Sequence, residues 1–475
     1  MEGKKHLTPA RLLITILALG TLLRVITALV MGDQVEILPG IFDQLSYDRL
    51  SQNVLAGNGF SFDQDWWPVT RAGEPTAHWS YAMTLYLVGV YRLLGYHPLA
   101  ARLIQAVFSG ILMPWLVYRL TRRTFRFKKE MQVDDRKWEQ SQIIALLAAV
   151  WTALYGYFIY YSAALMTETF YITCILWTLD IAQRIHQSLV KVRRENNNYW
   201  LYLELGLAAG LAVLFRQAFL LFVPFLFGWL WWAQWRFLRL VSVGRAWLPQ
   251  KGLVAGCLIT ALVIMAFILP FTAYNYTRFQ RFVLLNTNSG YAFFWANHPV
   301  HGNKFIPLFT EEMPSYQELI PEELRNLDEA AIDQALLKIG FGYVRSAPGR
   351  YLLLSLSRIP EHFIFWPLPT SPLLSNLTRV GSLGIVLPFF LAGLATWMND
   401  FRRKQVDGLE LAVLLLLFLV VYSSLHIFSW AGIRYRLPVD PVLVIFAAYG
   451  LYSLVGWMIS KFMARPRPGD RAADS

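Results

Sequence analysis

Cysteine is scarce in this chain of 475 residues, where only Cys174 and Cys257 occur and both lie inside apolar runs. Two such residues suggest neither a disulfide framework nor a thiolate metal site. Charged residues are also few, at 16 % of the chain. The sequence contains no glycine-rich phosphate loop and no Rossmann dinucleotide fingerprint, so it does not predict a nucleotide-binding domain.

Apolar residues dominate instead. They make up 56 % of the chain, and the mean hydropathy is +0.40, which is more than a soluble domain could cover with polar surface. We therefore interpret the chain as an integral membrane protein in contact with membrane lipids. The net charge of +12 comes from short basic clusters beside apolar segments. Membrane topology explains these clusters better than nucleic-acid binding, so no nucleic-acid partner is expected.

Apolar runs of spanning length recur along the chain. The first, Arg11 to Met31, predicts an uncleaved helix and not a cleaved signal peptide. The other predicted spans are 98–119, 141–161, 168–185, 200–216, 218–235, 252–271, 379–397, 409–429 and 440–460. The predicted fold is an all-α polytopic membrane protein with about ten transmembrane helices. The shorter stretches Tyr81–Tyr96 and Tyr351–Phe365 are expected to lie at the membrane interface.

The basic clusters predict the orientation of the chain. Because Lys and Arg crowd cytoplasmic connections, the alternation of clusters places both termini in the cytoplasm of a multi-pass protein of the cell (inner or plasma) membrane. The clusters are Arg119 to Lys129, Arg184 to Arg194, Arg236 to Arg245, Arg402 to Lys404 and Lys461 to Arg467. The last residues, 465–475, look disordered.

This topology divides the chain into three parts. Residues 1–271 form a transmembrane catalytic module that contains a first external loop, 32–80. Residues 272–365 form a small external region, in which an amphipathic helix follows Asp328 and Glu329. Residues 366–475 supply the last transmembrane helices and a short cytoplasmic tail. The apolar positions of the amphipathic helix are Ile332, Ala335, Leu336, Ile339 and Tyr343.

The first external loop opens with the polar segment "FDQLSYDRLSQNVLAGNGFSF". If 43–55 is helical, Asp43 shares one face with Tyr47, Leu50 and Val54, whereas Asp48 is turned away. A helix at the membrane surface would then hold Asp43 at the mouth of a cavity between the spans. The alternative is that Asp43 merely caps this helix, which is a common role for aspartate.

Charged residues from other parts of the chain are predicted to lie at the same membrane face. Glu168 in "ALMTETF" begins a span, where an uncompensated carboxylate is costly and usually points towards a site. Arg216 separates two apolar stretches, and Arg434 and Arg436 precede the last span. Any single arginine could instead be anchored among lipid headgroups. Together they suit a phosphate ligand, beside a carboxylate that can deprotonate an attacking hydroxyl.

In the segments that carry these residues, the sequence resembles the GT-C superfamily of glycosyltransferases. The resemblance is to the branch with the protein O-mannosyltransferases, the lipid A aminoarabinose transferase and the Rgt-like bacterial enzymes. It covers most of the chain and is carried by the order of its motifs. These are the segment from Phe42 quoted above, the segment "EPTAHWSYAMTLYLVGVYRLLGYHPLAARLIQAVFSGILMPWLVYRLTRRTF", and then "LMTETF", "GLAAGLAVLFRQAFLLFVP", "LLNTNSGYAFFWANHPVHG" and "RYRLPVDPVLVIFAAYGL".

The resemblance implies a membrane enzyme that passes a sugar from a polyprenyl-phosphate donor to an acceptor hydroxyl on the external (periplasmic) face, with inversion. The acceptor class stays open among lipid, glycan and protein. Asp43 matches the catalytic base, and Asp48 is the nearby alternative. Glu168 matches an acid that binds metal or orients the acceptor and the base, so a divalent metal ion is a possible cofactor. The positions associated with the donor phosphate are Arg216, Arg434, Tyr435 and Arg436.

Two positions depart from the family pattern. His78-Trp79 follows "PTA" where the family has a basic residue and proline, and Gln217 follows Arg216 where proline is common. His78 is therefore either a metal ligand or, more simply, a hydrogen-bonded structural histidine. His298 allows the same two interpretations, and His426, inside a span, is expected to be packed and bonded.

Two other functions fit a polytopic protein with charged residues. A lipid or glycan transporter (flippase) predicts two related halves with charges or broken helices near the midplane, which the sequence does not show. A surface-polysaccharide polymerase or ligase differs little from a transferase in its sequence expectations. A purely structural scaffold would have no need for Asp43 opposite Arg216.

Overall fold

The computed structural model describes residues 8–127, 131–133, 136–191, 198–240, 250–307, 309 and 312–463, and this part of the chain is mainly helical. The helices of the first half are α1 (Pro9–Met31), α2 (Asp43–Leu55), α3 (Tyr81–Leu94), α4 (Pro98–Thr124), α5 (Gln140–Leu154), α6 (Gly156–Ala163), α7 (Glu168–Lys191), α8 (Tyr199–Phe215) and α9 (Val223–Leu240). Those of the second half are α10 (Lys251–Phe279), α11 (Ser289–Asn297), α12 (Glu329–Ser346), α13 (Pro348–His362), α14 (Leu373–Arg379), α15 (Ile385–Arg402), α16 (Leu409–Phe428), α17 (Ile433–Arg436) and α18 (Asp440–Met463).

The all-α prediction is confirmed, apart from four short strands that pair antiparallel as β1 with β4 and β2 with β3. They are β1 (Arg126–Phe127), β2 (Met131–Val133), β3 (Arg136–Trp138) and β4 (Val406–Asp407). The predicted disordered tail, 465–475, lies outside the described residues, as do several members of the basic clusters. Short helical turns connect the main helices at Gln217–Phe222, Pro299–His301 and Glu322–Leu324, and a π-helical turn, Val380–Gly384, joins α14 to α15.

Each predicted span coincides with a helix, and the chain is a multi-pass membrane protein. Among the described residues, seven helical segments are long and apolar enough to cross a membrane, or eight if the pair α5 and α6, bent by 49°, is one span. The seven are Pro9–Met31, Pro98–Thr124, Gln217–Leu240, Lys251–Phe279, Leu373–Arg402, Leu409–Phe428 and Asp440–Lys461. Two predicted spans fall outside this group. Helix α8 has only 17 residues, and α7 carries internal charges that lower its hydropathy.

The charges of α7 are compensated inside the bundle. Asp180 is buried and pairs with Arg123 and with Arg119, whose Nη2 lies 3.0 Å from the carboxylate. Arg184 donates to both oxygens of Glu204 on α8 at 2.8 and 2.9 Å. A paired charge costs far less in a membrane than a free one, so α7 can lie among the other helices.

Small residues allow the helices to approach closely. At Gly393 of α15 and Gly450 of α18, an added Cβ would lie 1.9 Å from the carbonyl oxygen of Phe446 and 2.2 Å from that of Phe389. Glycine at these two positions therefore permits backbone contact, as is usual where transmembrane helices cross. This crossing holds α18, and with it the arginine-bearing turn α17, against the bundle.

Helix α10 extends beyond the predicted boundary at residue 271. Its last turns continue to Phe279 because Asn275 is buried and bonded, donating to the carbonyls of Val283 at 3.2 Å and Leu285 at 2.9 Å. The helix ends at Gln280, which adopts a left-handed conformation with φ 50°. The polar segment "TAYNYTRF" is thus helical because the returning chain satisfies it, a feature that hydropathy does not reveal.

The predicted amphipathic helix of the external region is confirmed as α12. The Asp328 carboxylate caps it by accepting from the Ala331 N–H at 2.8 Å, and Ile332 and Leu336 pack in one cluster with Tyr291 and Trp295. Helix α11 approaches α12 through Gly290, whose N–H donates to Asp333 Oδ1 at 2.7 Å. The Tyr291 N–H donates to the same oxygen at 3.2 Å.

The buried carboxyl of Asp333 makes this contact sensitive to pH. Burial raises its pKa from 3.8 to about 7, so the folded state prefers the protonated acid. Since the unfolded state releases the proton first, the stability from this group is complete below pH 3.8 and declines as pH rises to about 7. The Asp333→Asn variant keeps the acceptor oxygen but cannot ionise. We expect its unfolding temperature to lack this part of the pH dependence.

Thermal unfolding of both proteins in detergent between pH 4 and pH 8 measures the difference. The variant should be the more stable protein at pH 8, by no more than about 4 kcal/mol if 1.36 kcal/mol corresponds to one pKa unit. The curves should converge at acidic pH. Parallel curves would show that Asp333 is not the titrating group.

Candidate active site

Helix α2 lies in the connection that follows the first span, and Asp43 is the first residue of this helix. The helix has no side-chain cap, so the capping interpretation of Asp43 does not describe the structure. The neighbouring Gln44 fixes this end of α2, because its Oε1 accepts from Arg102 of α4 at 3.3 Å and from the Leu165 N–H at 3.5 Å. The bond from the Leu165 N–H to Gln44 brings Asp43 beside the turn that precedes Glu168.

Glu168 and Arg216 meet where two helices end. Glu168 is the first residue of α7, and Arg216 directly follows α8, where the helical path breaks before the short turn to α9. The Arg216 Nε donates to Thr167 Oγ1 at 2.9 Å, and its Nη2 pairs with Glu168 Oε1. The interruption of the span at Arg216 thus points the guanidinium towards α7.

Arg434 joins these groups to Asp43. It lies on α17, just before the last span, and donates through Nε to Glu168 Oε1 and through Nη1 to Asp43 Oδ2. Two carboxylates and two guanidinium groups, from four distant parts of the chain, therefore form one continuous ion-pair chain. We call the set Asp43, Glu168, Arg216 and Arg434 the charged cluster.

The charged cluster is graded in exposure and incompletely bonded. The side-chain exposure falls from 28 % at Asp43 to 21 % at Arg434, 13 % at Arg216 and 0 % at Glu168. Among the described residues, Glu168 Oε2 and Arg216 Nη1 are buried without a hydrogen-bond partner. A buried polar atom without a partner costs free energy, so these two atoms mark a place where a polar ligand would be bound.

Aromatic rings enclose the guanidinium of Arg216. Its central carbon lies 5.5 Å from the ring centroid of Tyr171 and 5.8 Å from that of Tyr435. Tyr435, which is one of the residues predicted to contact a donor phosphate, therefore lies beside the charged cluster. Cation–π contacts of this kind stabilise a partly desolvated guanidinium.

The structure places Arg436 outside the charged cluster. It is fully buried and donates to both oxygens of Asp440, at 2.8 and 3.3 Å, and to the carbonyls of His362 and Ile364, each at 3.2 Å. These bonds occupy the guanidinium, so Arg436 anchors α17 to α18 and to the end of α13. The geometry gives no support to a direct contact with a donor phosphate.

Asp48 is also separate from the charged cluster, on the other side of α2. Its carboxylate accepts from Tyr91 at 2.6 Å, from Tyr96 at 3.0 Å and from Gln52 at 2.8 Å. Burial is the largest influence on the Asp48 carboxyl and raises its pKa, against the effect of these donors. The arrangement fastens α2 to α3 and leaves Asp43 as the carboxylate that faces the charged cluster.

His78 is packed among aromatic rings of the external loops. Its ring lies 5.3 Å from Trp67, 5.2 Å from Trp79 and 5.5 Å from Tyr291 between centroids, and its Nδ1 has no partner. Burial lowers the pKa of this imidazole. In the part of the chain that the structure describes, no three His, Cys, Asp or Glu side chains are grouped as metal ligands. His298 has a local role and caps a turn by accepting from the Val300 N–H at 3.2 Å.

The two external loops are joined beside the charged cluster. Gln217 donates to the Asn286 carbonyl at 3.2 Å and to Asn288 Oδ1 at 3.0 Å. Asn286 in turn donates to the carbonyls of Ala77 and Trp79, at 3.0 and 2.8 Å. The Gln217 side-chain amide thus connects the end of α8 to the loop of Asn286 and, through Asn286, to the loop of Ala77. Gln217 stands where proline is common in the family that the sequence resembles.

Glu329 makes a second connection between these loops. Its carboxylate is buried and accepts from Thr70 and Thr76 at 2.8 and 2.7 Å, from the Ala77 N–H at 2.8 Å, and from Thr287. The sequence predicts Glu329 only as part of the acidic start of an amphipathic helix. Its polar neighbours are far away in the sequence, and no periodic pattern announces them.

Two buried histidines next to Tyr435 were also not predicted as site residues. The ring of His426 lies 5.0 Å from that of Tyr435 and 6.2 Å from that of His362. His426 Nδ1 lies 3.2 Å from the Trp430 carbonyl, but its Nε2 and both ring nitrogens of His362 have no partner. His426 is packed as expected, but only one of its two ring nitrogens, Nδ1, has a hydrogen-bond partner among the described residues. The only sequence signal was the isolated histidine inside an apolar run.

With the geometry described, the chain can be compared with known proteins. No protein-family model matches it, and no curated protein sequence matches it. Solved structures do. The apo oligosaccharyltransferase of Archaeoglobus fulgidus superposes with a TM-score of 0.58 at 17 % identity, over 98 % of this chain and 52 % of the archaeal one. This agreement extends over nearly all of the chain. The chain has the GT-C fold.

A second structure, the oligosaccharyltransferase AglB of Archaeoglobus fulgidus in complex with an inhibitory peptide and a dolichol-phosphate, superposes with a TM-score of 0.55 at 16 % identity, over 95 % of this chain and 51 % of that one. The ArnT of Cupriavidus metallidurans bound to undecaprenyl phosphate matches at 14 % identity over 96 % of this chain and 80 % of that one, with a TM-score of 0.34. The chain spans about half the length of the archaeal enzyme. The fold is shared with the archaeal oligosaccharyltransferase over nearly all of this chain.

Proposed function

We propose that this protein is a membrane glycosyltransferase that moves a sugar from a polyprenyl-phosphate donor to an acceptor hydroxyl on the external (periplasmic) face of the cell membrane. The observation that carries the proposal is the charged cluster. It combines an accessible carboxylate, Asp43, with two arginines that retain unused N–H groups. The GT-C fold supports the same reaction class.

The donor phosphate would bind the unused nitrogens of the two arginines. Arg216 Nη1 has no partner, and Arg434 uses only Nε and Nη1 for its ion pairs in the described part of the chain. Guanidinium groups bind phosphate oxygens through charge-assisted hydrogen bonds and neutralise the charge that grows as the phosphate leaves. Tyr435 and Tyr171 would hold Arg216 in place beneath the phosphate.

Asp43 would act as the general base. The Asp43 side chain is more exposed than that of Glu168, the other acid of the charged cluster. An acceptor hydroxyl can therefore approach the Asp43 carboxylate from outside. The hydroxyl oxygen attacks the anomeric carbon as the bond from that carbon to the phosphate oxygen breaks. Asp43 takes the hydroxyl proton, and the electron pair of the broken bond leaves with the polyprenyl phosphate. A single displacement of this kind inverts the anomeric configuration.

A resident metal ion does not fit this arrangement. The Arg434 guanidinium already bridges the two carboxylates, so a cation occupies the position between them. His78, the other predicted ligand, lies among aromatic rings and supplies only one nitrogen. We therefore derive the stabilisation of the leaving phosphate from the arginines, and assign Glu168 to their orientation.

An apolar groove beside α9 would accommodate the polyprenyl chain. It has a volume of about 430 Å³ and begins where the turn after Arg216 continues into α9. Its apolar lining suits an isoprenoid, while the phosphate stays at the charged cluster. The groove is lined by Pro224, Phe225, Gly228, Trp229 and Trp232 of α9 and by Val413 and Leu417 of α16.

Filling this groove at Gly228 should weaken donor binding. An added Cβ at Gly228 meets no atom within 4 Å, so the Gly228→Leu variant is expected to fold normally. Its side chain would project into the groove and raise KM for a long-chain donor about ten-fold, which corresponds to about 1.4 kcal/mol of lost binding. The kcat should change little. Steady-state transfer with long-chain and short-chain prenyl donors measures the effect.

Gly456→Leu is the matched control. Gly456 lies on α18 and also has open space around its Cβ position, but it does not line the groove. Its KM should equal that of the parent for both donors. An unchanged KM in the Gly228→Leu variant, or an equal increase for the short-chain donor, would contradict the assignment of the groove.

A transfer assay tests the proposed function itself. Purified protein in nanodiscs would be incubated with radiolabelled polyprenyl-phosphate sugars and with lipid, glycan and peptide acceptors. We expect acceptor-dependent loss of the sugar from the donor, release of polyprenyl phosphate, and inverted configuration in the product. Movement of intact donor between the leaflets of proteoliposomes, without sugar transfer, would instead identify a flippase.

A further inference from the structure

A polar cavity lies at the opposite end of α4 from the charged cluster. It has a volume of about 600 Å³ and is open on one side. Arg102, near the start of α4, bonds to Gln44 beside Asp43, and Arg122 lies 20 residues further along the same helix. At 1.5 Å per residue the two are separated by about 30 Å. The cavity therefore belongs to a different surface of the protein.

The lining of this cavity is strongly basic. It is formed by the end of α4, by β1 and by the start of α5, with Tyr118, Arg119, Arg122, Arg123, Arg126, Phe127, Glu139, Gln140 and Ser141. Basic residues beside a membrane span orient the protein and need no cavity for that purpose. Here four arginines converge on one hollow, which is more than orientation requires.

The nearby acids neutralise only part of this charge. Asp180 pairs with Arg119 and Arg123, and Glu139 lies 3.4 Å from Arg122. Among the described residues, Asp407 also lies opposite Arg126 across the β1–β4 pair, so four guanidinium groups stand against three carboxylates and one positive charge remains. Arg126 is exposed and lines the cavity. The cavity can accept an anion without displacing the buried pairs of Asp180.

The start of α5 adds a further attraction for anions. The 15-residue helix begins at Gln140 with no side-chain cap, and the Gln142 and Ile143 N–H groups bond to the Glu139 carbonyl. The N–H groups of Gln140 and Ser141 have no acceptor in the described structure, and both residues line the cavity. Free N–H groups at a helix start, together with the helix dipole, favour a phosphate oxygen.

We propose that this cavity is a binding site for a phosphate-bearing anion, held by Arg122 and Arg126 and by the start of α5. Arg119 and Arg123, which are held by Asp180, would form its inner wall. The volume exceeds that of a phosphate group alone, so it suits a whole phosphorylated headgroup. Such a group is carried by an anionic phospholipid at the membrane surface and also by soluble phosphate compounds, and the experiment separates these sources.

Native mass spectrometry of the full chain tests the proposal with phosphatidylglycerol as the lipid probe. The comparison is between the parent and the double variant Arg122→Gln/Arg126→Gln, whose substituted side chains are exposed, so folding should be unaffected. We expect the parent to retain one more lipid than the variant, with apparent affinity about ten-fold higher, because the variant lacks the charge-assisted bonds of both arginines to the phosphate. Phosphatidylcholine should show no difference.

The matched control is Arg402→Gln/Arg403→Gln, which removes two exposed arginines at the end of α15 that do not line the cavity. It should retain lipid like the parent. Equal losses in both double variants would overturn the proposal, because general surface charge would then explain binding. A soluble arm uses inorganic pyrophosphate and thermal unfolding. Stabilisation of the parent but not of the cavity variant supports a phosphate site with a soluble source.

No effect of either probe on the parent would also overturn the proposal. The readout is binding and does not depend on sugar transfer. A failure here therefore leaves the proposed function untouched, and a failure of the transfer assay leaves this site untouched.

Discussion

Asparagine at position 43 is expected to reduce sugar transfer about a thousandfold, within the 10²–10⁴ range of a general base. The amide oxygen can still accept from Arg434, so the charged cluster should keep its geometry. It cannot accept the hydroxyl proton, so the acceptor must attack without deprotonation. The rate of transfer from a radiolabelled polyprenyl-phosphate sugar, measured at saturating donor and acceptor, gives the effect. Donor affinity should change only a few-fold.

Asp48→Asn is the control on the same helix. Asp48 is buried, but its partners are Tyr91, Tyr96 and Gln52, and none of them belongs to the charged cluster. We expect transfer within a few-fold of the parent. If the two variants lost activity equally, or if Asp43→Asn kept full activity, Asp43 would not be the base.

Truncation of Glu168 to alanine should destabilise the protein by roughly 3–5 kcal/mol, the usual cost of removing one partner from a buried ion pair. Glu168 Oε1 accepts from Arg216 and Arg434, so its loss leaves two guanidinium groups without their common acceptor. The unfolding temperature in detergent should fall sharply, and transfer should be lost. Glu168→Gln keeps an acceptor oxygen and should be less severe.

A double-mutant cycle separates this pairing from general damage. Adding Arg216→Met to Glu168→Ala removes one of the unpaired charges. The double variant should therefore lose less free energy of unfolding than the sum of the losses in the two single variants. Asp63→Ala is the surface control. It breaks an exposed, solvent-screened ion pair with Arg49, so it should change stability little. Equal losses at positions 63 and 168 would contradict a buried role for Glu168.

The charged cluster shows how much of the site the sequence could predict. Glu168, Arg216 and Arg434 stand beside apolar runs, and Asp43 begins a polar segment after the first span. Topology assigns all four to one membrane face. A charge at a membrane boundary requires a partner, so their convergence follows from physical cost. Asp43 was placed on the correct face of α2 because helical spacing separates it from Asp48.

Other features of the site could not be predicted in this way. Arg434 and Arg436 were interpreted as one motif, but residues two apart on a helix do not share a face. The structure accordingly sends Arg436 to Asp440 and Arg434 to Glu168. The contacts of Glu329 and Gln217 join loops that are far apart in the sequence. Such polar pairings leave no periodic signal, and only the folded chain brings them together.

The bonds of Glu329 restrict how a substrate can enter. Its carboxylate is fastened by donors from both sides of the external surface, so lifting these segments apart would strand a buried anion, at a cost of several kcal/mol. A hinged lid is therefore a poor route for a large amphiphile. For the lipid-linked donor proposed above, sideways entry between neighbouring helices would leave that fastening intact.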